Sequence, residues 1–147
     1  MQNKKQNGQL STSDLETKLR KASSLEQYLD EHEESFVSSD FVTLLNQIFV
    51  EKGASKAALA KRSGVSDVFL HQVFSGKRKP SRNRLLCLCI GMQTSLEECQ
   101  ELLRRNKNAM LYVRSRRDSV IGYGILHHMN LLEINERLFK ADEETLF

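Results

Sequence analysis

Residues Ser55 to Gly76 read S-K-A-A-L-A-K-R-S-G-V-S-D-V-F-L-H-Q-V-F-S-G, and the chain continues K-R-K-P-S. This stretch predicts two short helices, over 56–63 and 67–74, with a tight turn between them. Ser55 is a good N-cap because its hydroxyl can accept an orphan backbone N–H. Ala57, Ala58, Leu59 and Ala60 are strong helix formers, and the small alanines allow another helix to come close. Gly64 stands where the chain must reverse, and glycine accepts a positive φ without steric cost. Ser66 caps the second helix, which ends at Gly76.

Outward from this stretch, the pattern stays helical. Met1 to Leu10 is polar and reads as a disordered tail. Residues 11–38 read as an N-terminal helical extension. Ser13 caps a helix through about Ala22, and Ser24 with Gln27 opens another through about Glu34. Leu25, Tyr28 and Leu29 form its apolar stripe, and Asp30, Glu31, Glu33 and Glu34 a solvated acidic face. Ser39 caps the next helix. In it Phe41, Leu44, Leu45, Ile48 and Phe49 recur at i, i+3, i+4, i+7 and i+8, and Gly53 ends it. Pro80 breaks the chain, Ser81 caps a helix from Arg82 to about Ile90, and Gly91 stops it. Ser95 and Glu98 open a helix to about Arg105. Residues 39–106 make one domain and 107–147 a helical hairpin packed on it.

The second half repeats itself at an offset of 35 residues. R82-N-R-L-L-C-L-C-I aligns with R117-D-S-V-I-G-Y-G-I, and S95-L-E-E-C-Q-E-L-L with N130-L-L-E-I-N-E-R-L. Seven of 30 aligned positions are identical, among them Arg82/Arg117, Glu98/Glu133, Leu103/Leu138 and Leu111/Leu146. Two stacked hairpins, each covering the other's apolar face, are expected. Hydrophobic residues make up 39% of the chain, there is no Trp and only one Pro. Strand-like alternation is scarce, so the fold is expected to be all-α.

Charge is unevenly placed. Residues 55–117 carry a net +10, residues 1–54 a net −3 and residues 118–147 a net −4. A basic middle with acidic flanks suits a module that binds a polyanion. Two helices around a tight turn, followed by basic Lys77, Arg78 and Lys79, form a helix-turn-helix pattern. Such a motif places its second helix in the DNA major groove, with the basic loop against phosphates.

Catalysis finds no constellation here: there is no Gly-rich phosphate loop, metal-spaced His/Cys cluster or nucleophile motif. Cys87, Cys89 and Cys99 are odd in number, and Cys87 and Cys89 point apart on a helix, so they read as buried structural residues. His127 and His128 are adjacent and make a poor chelate. No cofactor is expected. No apolar run approaches the length of a membrane span, and a soluble, cytoplasmic protein is expected.

Residues 55–100, through L59-A-K-R-S-G-V-S, V73-F-S-G-K-R-K-P-S and L85-L-C-L-C-I-G-M-Q-T-S-L-E-E, closely resemble the lambda-repressor-like (Cro/C1, XRE-type) helix-turn-helix family. With the helix from Phe41 the resemblance covers five helices and about 60 residues. It implies a DNA-binding transcriptional regulator of bacterial type. It also implies roles by position: Lys56 on a phosphate; Asp67, Val68 and Gln72, after the capping Ser66, at base edges; His71 beside them on a base or phosphate; Lys77, Arg78, Lys79 and Arg82 on phosphates. Gln72 can pair with adenine N6 and N7, though a glutamine is also ordinary on an exposed helix. Val68 either touches a thymine methyl or is partly buried. Asp67 either suits the helix dipole or accepts from cytosine.

Two departures stand out. Phe74 replaces a glutamate that usually pairs with a base on the first helix, and here packing is expected instead. Phe69, Leu70, Val73 and Phe74 also make the reading helix unusually apolar. The second reading is therefore a protein-interaction adaptor that keeps the fold without reading DNA. Family members usually bind as dimers, and the last hairpin, with Leu126, Met129, Leu131, Leu132, Ile134 and Leu138, is the candidate dimer surface.

Overall fold

The computed structural model describes residues 10–33, 36 and 38–147. Residues 1–9 of the tail expected over 1–10, and Glu34 of the acidic run, lie outside the described residues. All described elements are α-helices: α1 (Thr12–Lys21), α2 (Leu25–Glu31), α3 (Ser39–Lys52), α4 (Lys56–Ser63), α5 (Asp67–Phe74), α6 (Arg82–Met92), α7 (Leu96–Arg105), α8 (Arg116–Leu126) and α9 (Leu131–Lys140). The chain divides into two compact units between residues 37 and 38.

Helix starts follow one chemical rule. Ser11, Ser24, Ser38, Ser55, Ser66, Ser81, Ser95 and Ser115 each accept a hydrogen bond from the amide three residues on, and Asn130 does so for α9. Each such cap contributes about 1 kcal/mol. Two starts differ from expectation. Ser11 caps α1 where Ser13 is expected, and Ser38 caps α3 where Ser39 is expected. In both places two serines compete within three residues, and only backbone geometry selects between them.

In the first unit, Tyr28 of α2 is buried and its hydroxyl donates to the Leu15 carbonyl of α1 at 3.3 Å. Leu25 and Leu29, expected to share its apolar stripe, are exposed.

The second unit is built in layers. Helix α3 lies antiparallel along α7, fixed at both ends by Asp40–Arg105 at 2.9 Å and Lys52–Glu98 at 3.0 Å. Helix α4 packs chiefly on α6, and α5 on α3 and α4. Helices α8 and α9 pack on each other and against α7 and α6. The order is thus α3–α4–α5, then α6–α7, then α8–α9. Phe41, Leu45, Leu59, Leu70, Leu85, Leu88, Leu102, Ile121, Ile134 and Leu138 are fully enclosed between these layers.

The 35-residue repeat is a repeat of hydrogen bonds. Arg82 Nε donates to the Ala109 carbonyl at 2.8 Å and Nη2 to that of Met110 at 3.2 Å. Arg117 does the same to Glu144 and Thr145, at 2.7 and 3.2 Å. The Leu111 amide donates to Gln100 Oε1 at 2.7 Å, and the Leu146 amide to Asn135 Oδ1 at 2.7 Å. Both second helices begin with a capping box, Ser95/Glu98 and Asn130/Glu133. Even the left-handed residues match: Gln93 with His128, and Lys107 with Asp142.

Gly91 does not stop α6. It lies inside the helix, which runs on to Met92, because a Cβ there would collide with Ser63 Oγ of α4. The glycine is a close-approach site and Gln93 makes the left-handed exit.

Two outcomes follow from this packing. Gly122 and Gly124 share α8, yet a Cβ meets nothing within 4 Å at Gly122 and strikes the Ile134 side chain at Gly124. Gly122→Ala should raise stability by about 0.5–1 kcal/mol through helix propensity. Gly124→Ala should lower it by about 1–3 kcal/mol through overpacking. Urea unfolding of both variants checks the opposite signs. Arg82→Lys should cost about 1–3 kcal/mol, since lysine cannot make the forked contacts; an unchanged thermal midpoint would show that the clamp contributes nothing.

Candidate nucleic-acid interface

The turn between α4 and α5 is set by its own backbone. Gly64 adopts φ +66°, and the Val65 amide donates to the Ala60 carbonyl at 3.1 Å. Ser66 then caps α5, taking the Phe69 amide at 3.0 Å. Helix α5 turns Leu70, Val73 and Phe74 into the core. Its other face carries Asp67, Val68 and His71, all exposed, with Gln72 half-buried at the edge; Val68 is 67% exposed.

The basic loop folds back onto that face. Gly76 takes φ +82°, and the Lys77 and Arg78 amides both donate to the Gln72 carbonyl, at 2.9 and 3.2 Å. The Arg78 guanidinium sits 5.0 Å over the Phe69 ring, with Nη1 3.5 Å from Gln72 Oε1. Phe69 is half-buried beneath it. Val68, His71, Gln72, Lys77 and Arg78 thus come together as one strip, with Ser66 and Asp67 at its start and Lys79 half-buried at its end.

Two expected phosphate contacts lie elsewhere. Lys56 is half-buried, its ammonium 5.2 Å from the Phe74 ring centre and 5.9 Å from that of Phe49. Phe49 and Phe74 meet edge-to-face at 5.1 Å. Arg82 is spent on the Ala109 and Met110 carbonyls and on both carboxylate oxygens of Asp118, at 3.3 and 3.0 Å. The pair is largely enclosed, with the Asp118 side chain 10% exposed. Its guanidinium points into the chain, a role that only the fold reveals. The Arg78–Phe69 stack is likewise absent from the sequence reading, because it depends on the loop reversing at Gly76.

Other reactive groups sit in the core. Burial pushes the Cys87 thiol up to about 11, against weaker lowering by Arg84 and Arg117. A hydrogen bond with Cys99, then burial, also raises Cys89. At neutral pH both stay protonated thiols. Among the described residues no group of three His, Cys, Asp or Glu side chains is placed to hold a metal ion, and no helix is long and apolar enough to cross a membrane.

Comparison of the chain with protein-family models, with curated proteins and with solved structures gives no match.

The two phenylalanines of α5 separate core from surface. Phe74→Ala should cost about 3–5 kcal/mol, the range for an enclosed aromatic, and Phe69→Ala about 1 kcal/mol, as for partial burial. Equal losses in denaturant unfolding would place Phe69 in the core and leave Arg78 unsupported.

Proposed function

We propose that this chain is a sequence-specific DNA-binding transcriptional regulator, with α4 and α5 as a helix-turn-helix and α5 laid in the major groove. The observation that carries the reading is the strip on α5: exposed Val68 and His71 beside Gln72, made continuous with Lys77 and Arg78 by two hydrogen bonds that their backbone amides donate to the Gln72 carbonyl. This arrangement places short readers and long cations side by side. Gln72 would pair with adenine N6 and N7, Val68 would meet a thymine methyl, and His71 a neighbouring base or phosphate. Lys77 and Lys79 would supply phosphate affinity by releasing counterions. Arg78, stacked on Phe69, would hold the Gln72 amide in one orientation as well as add charge.

The net +10 of residues 55–117 and the resemblance of residues 55–100 to lambda-repressor-like regulators support the same reading. Lys56 and Arg82 are assigned no phosphate in it, because their cations face Phe74 and Asp118. The chain performs no catalysis on this reading and needs no cofactor. The adaptor reading draws on the apolar Val68, which a protein partner would cover equally well.

A selection from random duplex DNA at about 150 mM salt, where purely electrostatic binding is weak, separates the two. A defined motif should emerge. Gln72→Ala should relax one position of it, at about 1–3 kcal/mol of discrimination, and Lys77→Ala should weaken all sequences alike. Binding seen only at low salt and without a motif would favour the adaptor.

A further inference from the structure

The start of α6, the end of α7 and the start of α8 share one end of the second unit. Asn106 Nδ2 donates to the Pro80 carbonyl at 3.0 Å, Arg82 binds the Ala109 and Met110 carbonyls, and the rest of its fork grips Asp118. The loop after α7 is thereby tied to the chain that leaves the basic loop 77–79. The segment ahead of α8 is also fixed by its own bonds. The Tyr112 amide donates to Asp118 Oδ2 at 3.0 Å, the Ser115 amide to the Tyr112 carbonyl at 2.9 Å, and Ser119 Oγ to the Val113 carbonyl at 2.8 Å. These bonds hold the backbone of 112–115 and leave the side chains of Tyr112 and Arg114 exposed. Arg114 has no hydrogen-bond or ion-pair partner among the described residues.

The 35-residue repeat separates what the fold needs from what it does not. Residues 77–79, K-R-K, stand before Arg82 as residues 112–114, Y-V-R, stand before Arg117. Lys79 and Arg114 therefore occupy matching positions ahead of matching arginine clamps. The exit loops match as well, with Lys107 and Asp142 both left-handed. Their charges are opposite. Residues 106–117 hold four cations and no carboxylate, whereas residues 142–147 read D-E-E-T-L-F. The clamp forms in both settings, so its geometry does not select the charge. Along this end of the unit cations occupy the loops ahead of α6 and α8, and carboxylates follow in the last one. Arg116 stands at the boundary, its Nε 3.7 Å from Glu143 Oε2.

We infer that residues 112–114 form a second phosphate-contacting loop, laid on the DNA backbone beside the site that α5 reads. The inference rests on the DNA-reading proposal and gives it an outer limit. The Arg114 guanidinium takes one phosphate and the Tyr112 hydroxyl donates to another, contacts that position the protein without reading sequence. Packed helices lie about 8–10 Å apart, so this loop lengthens the row of cations by one helix width. Asp142, Glu143 and Glu144 repel the backbone beyond it, and the footprint stops there.

The test is the salt dependence of binding to a mixed-sequence duplex of about 30 base pairs, roughly three helical turns. Fluorescence anisotropy follows the full chain between about 50 and 200 mM salt. Mixed sequence keeps the readout on backbone contacts. Arg114→Ala should reduce the slope of log affinity against log salt by about 1, and Arg114→Lys should retain it. Tyr112→Phe should weaken binding with the slope unchanged. Lys52→Ala removes the same charge at the other end of α7, beside Glu98, and should leave the slope as it was. Tyr112 and Arg114 are exposed, so circular dichroism should report an unaltered fold. An Arg114→Ala slope equal to that of the unmodified chain, or one matched by Lys52→Ala, would overturn the second loop and leave the strip of α5 standing. An unmodified chain that does not bind the duplex would overturn both proposals. A reduced slope for Arg114→Ala, with no motif from the random-duplex selection, would uphold the second loop and remove sequence reading.

Discussion

The second unit depends on arginine reaching back to carbonyls that no helix can satisfy. After α7 the chain leaves helical geometry, and the carbonyls of Ala109 and Met110 lose their intrahelical partners. Arg82, at the first residue of α6, binds both, and its remaining fork holds Asp118 at the start of the next hairpin. One planar group thus closes its own hairpin and fastens the following one. Arg117 repeats the closure for the last hairpin and reaches Asn83 Oδ1 of α6 at 3.1 Å. A lysine offers charge but not the rigid fork, so the geometry requires arginine at both positions.

The apolar character of α5 has its explanation in what surrounds it. Phe74 lies where the helix-turn-helix family that residues 55–100 resemble would carry a glutamate to hold a basic residue of the preceding helix. The base is present as Lys56, and it rests over the Phe74 and Phe49 rings. An electrostatic tie to a ring face stands in for an ion pair. Phe69 is covered from outside by Arg78. Phe69, Leu70, Val73 and Phe74 therefore divide into three for the core and one that supports the loop, and the outer strip sets Asp67, His71 and Gln72 around the exposed Val68.

Helical content, the Gly53 and Gly64 exits and the 35-residue repeat were legible in the chain because each rests on local chemistry: a hydroxyl three residues before an amide, a glycine at positive φ, an apolar period. Gly91 misleads because a glycine late in a helix looks like a stop, whereas its actual constraint is Ser63 of a different helix. Arg82 misleads for the same reason. Its place at a helix start beside a basic loop suggests phosphate, while its partners lie 27 to 36 residues further on. On the strip itself, sequence spacing could group Val68, His71 and Gln72, but the Arg78 stack needed the loop's reversal.

The layers follow one another in space in the order in which they occur in the chain. Each hairpin finds its docking surface on residues already synthesised, while the arginine closures and the ties of α3 to Glu98 and Arg105 wait for later residues. A chain arranged this way can fold vectorially as it leaves the ribosome, adding one layer at a time with loops of modest length to close. Between the appearance of Arg82 and that of Asp118 the α6–α7 hairpin stands with an apolar flank uncovered, and the last 30 residues act as the lid that ends this exposure.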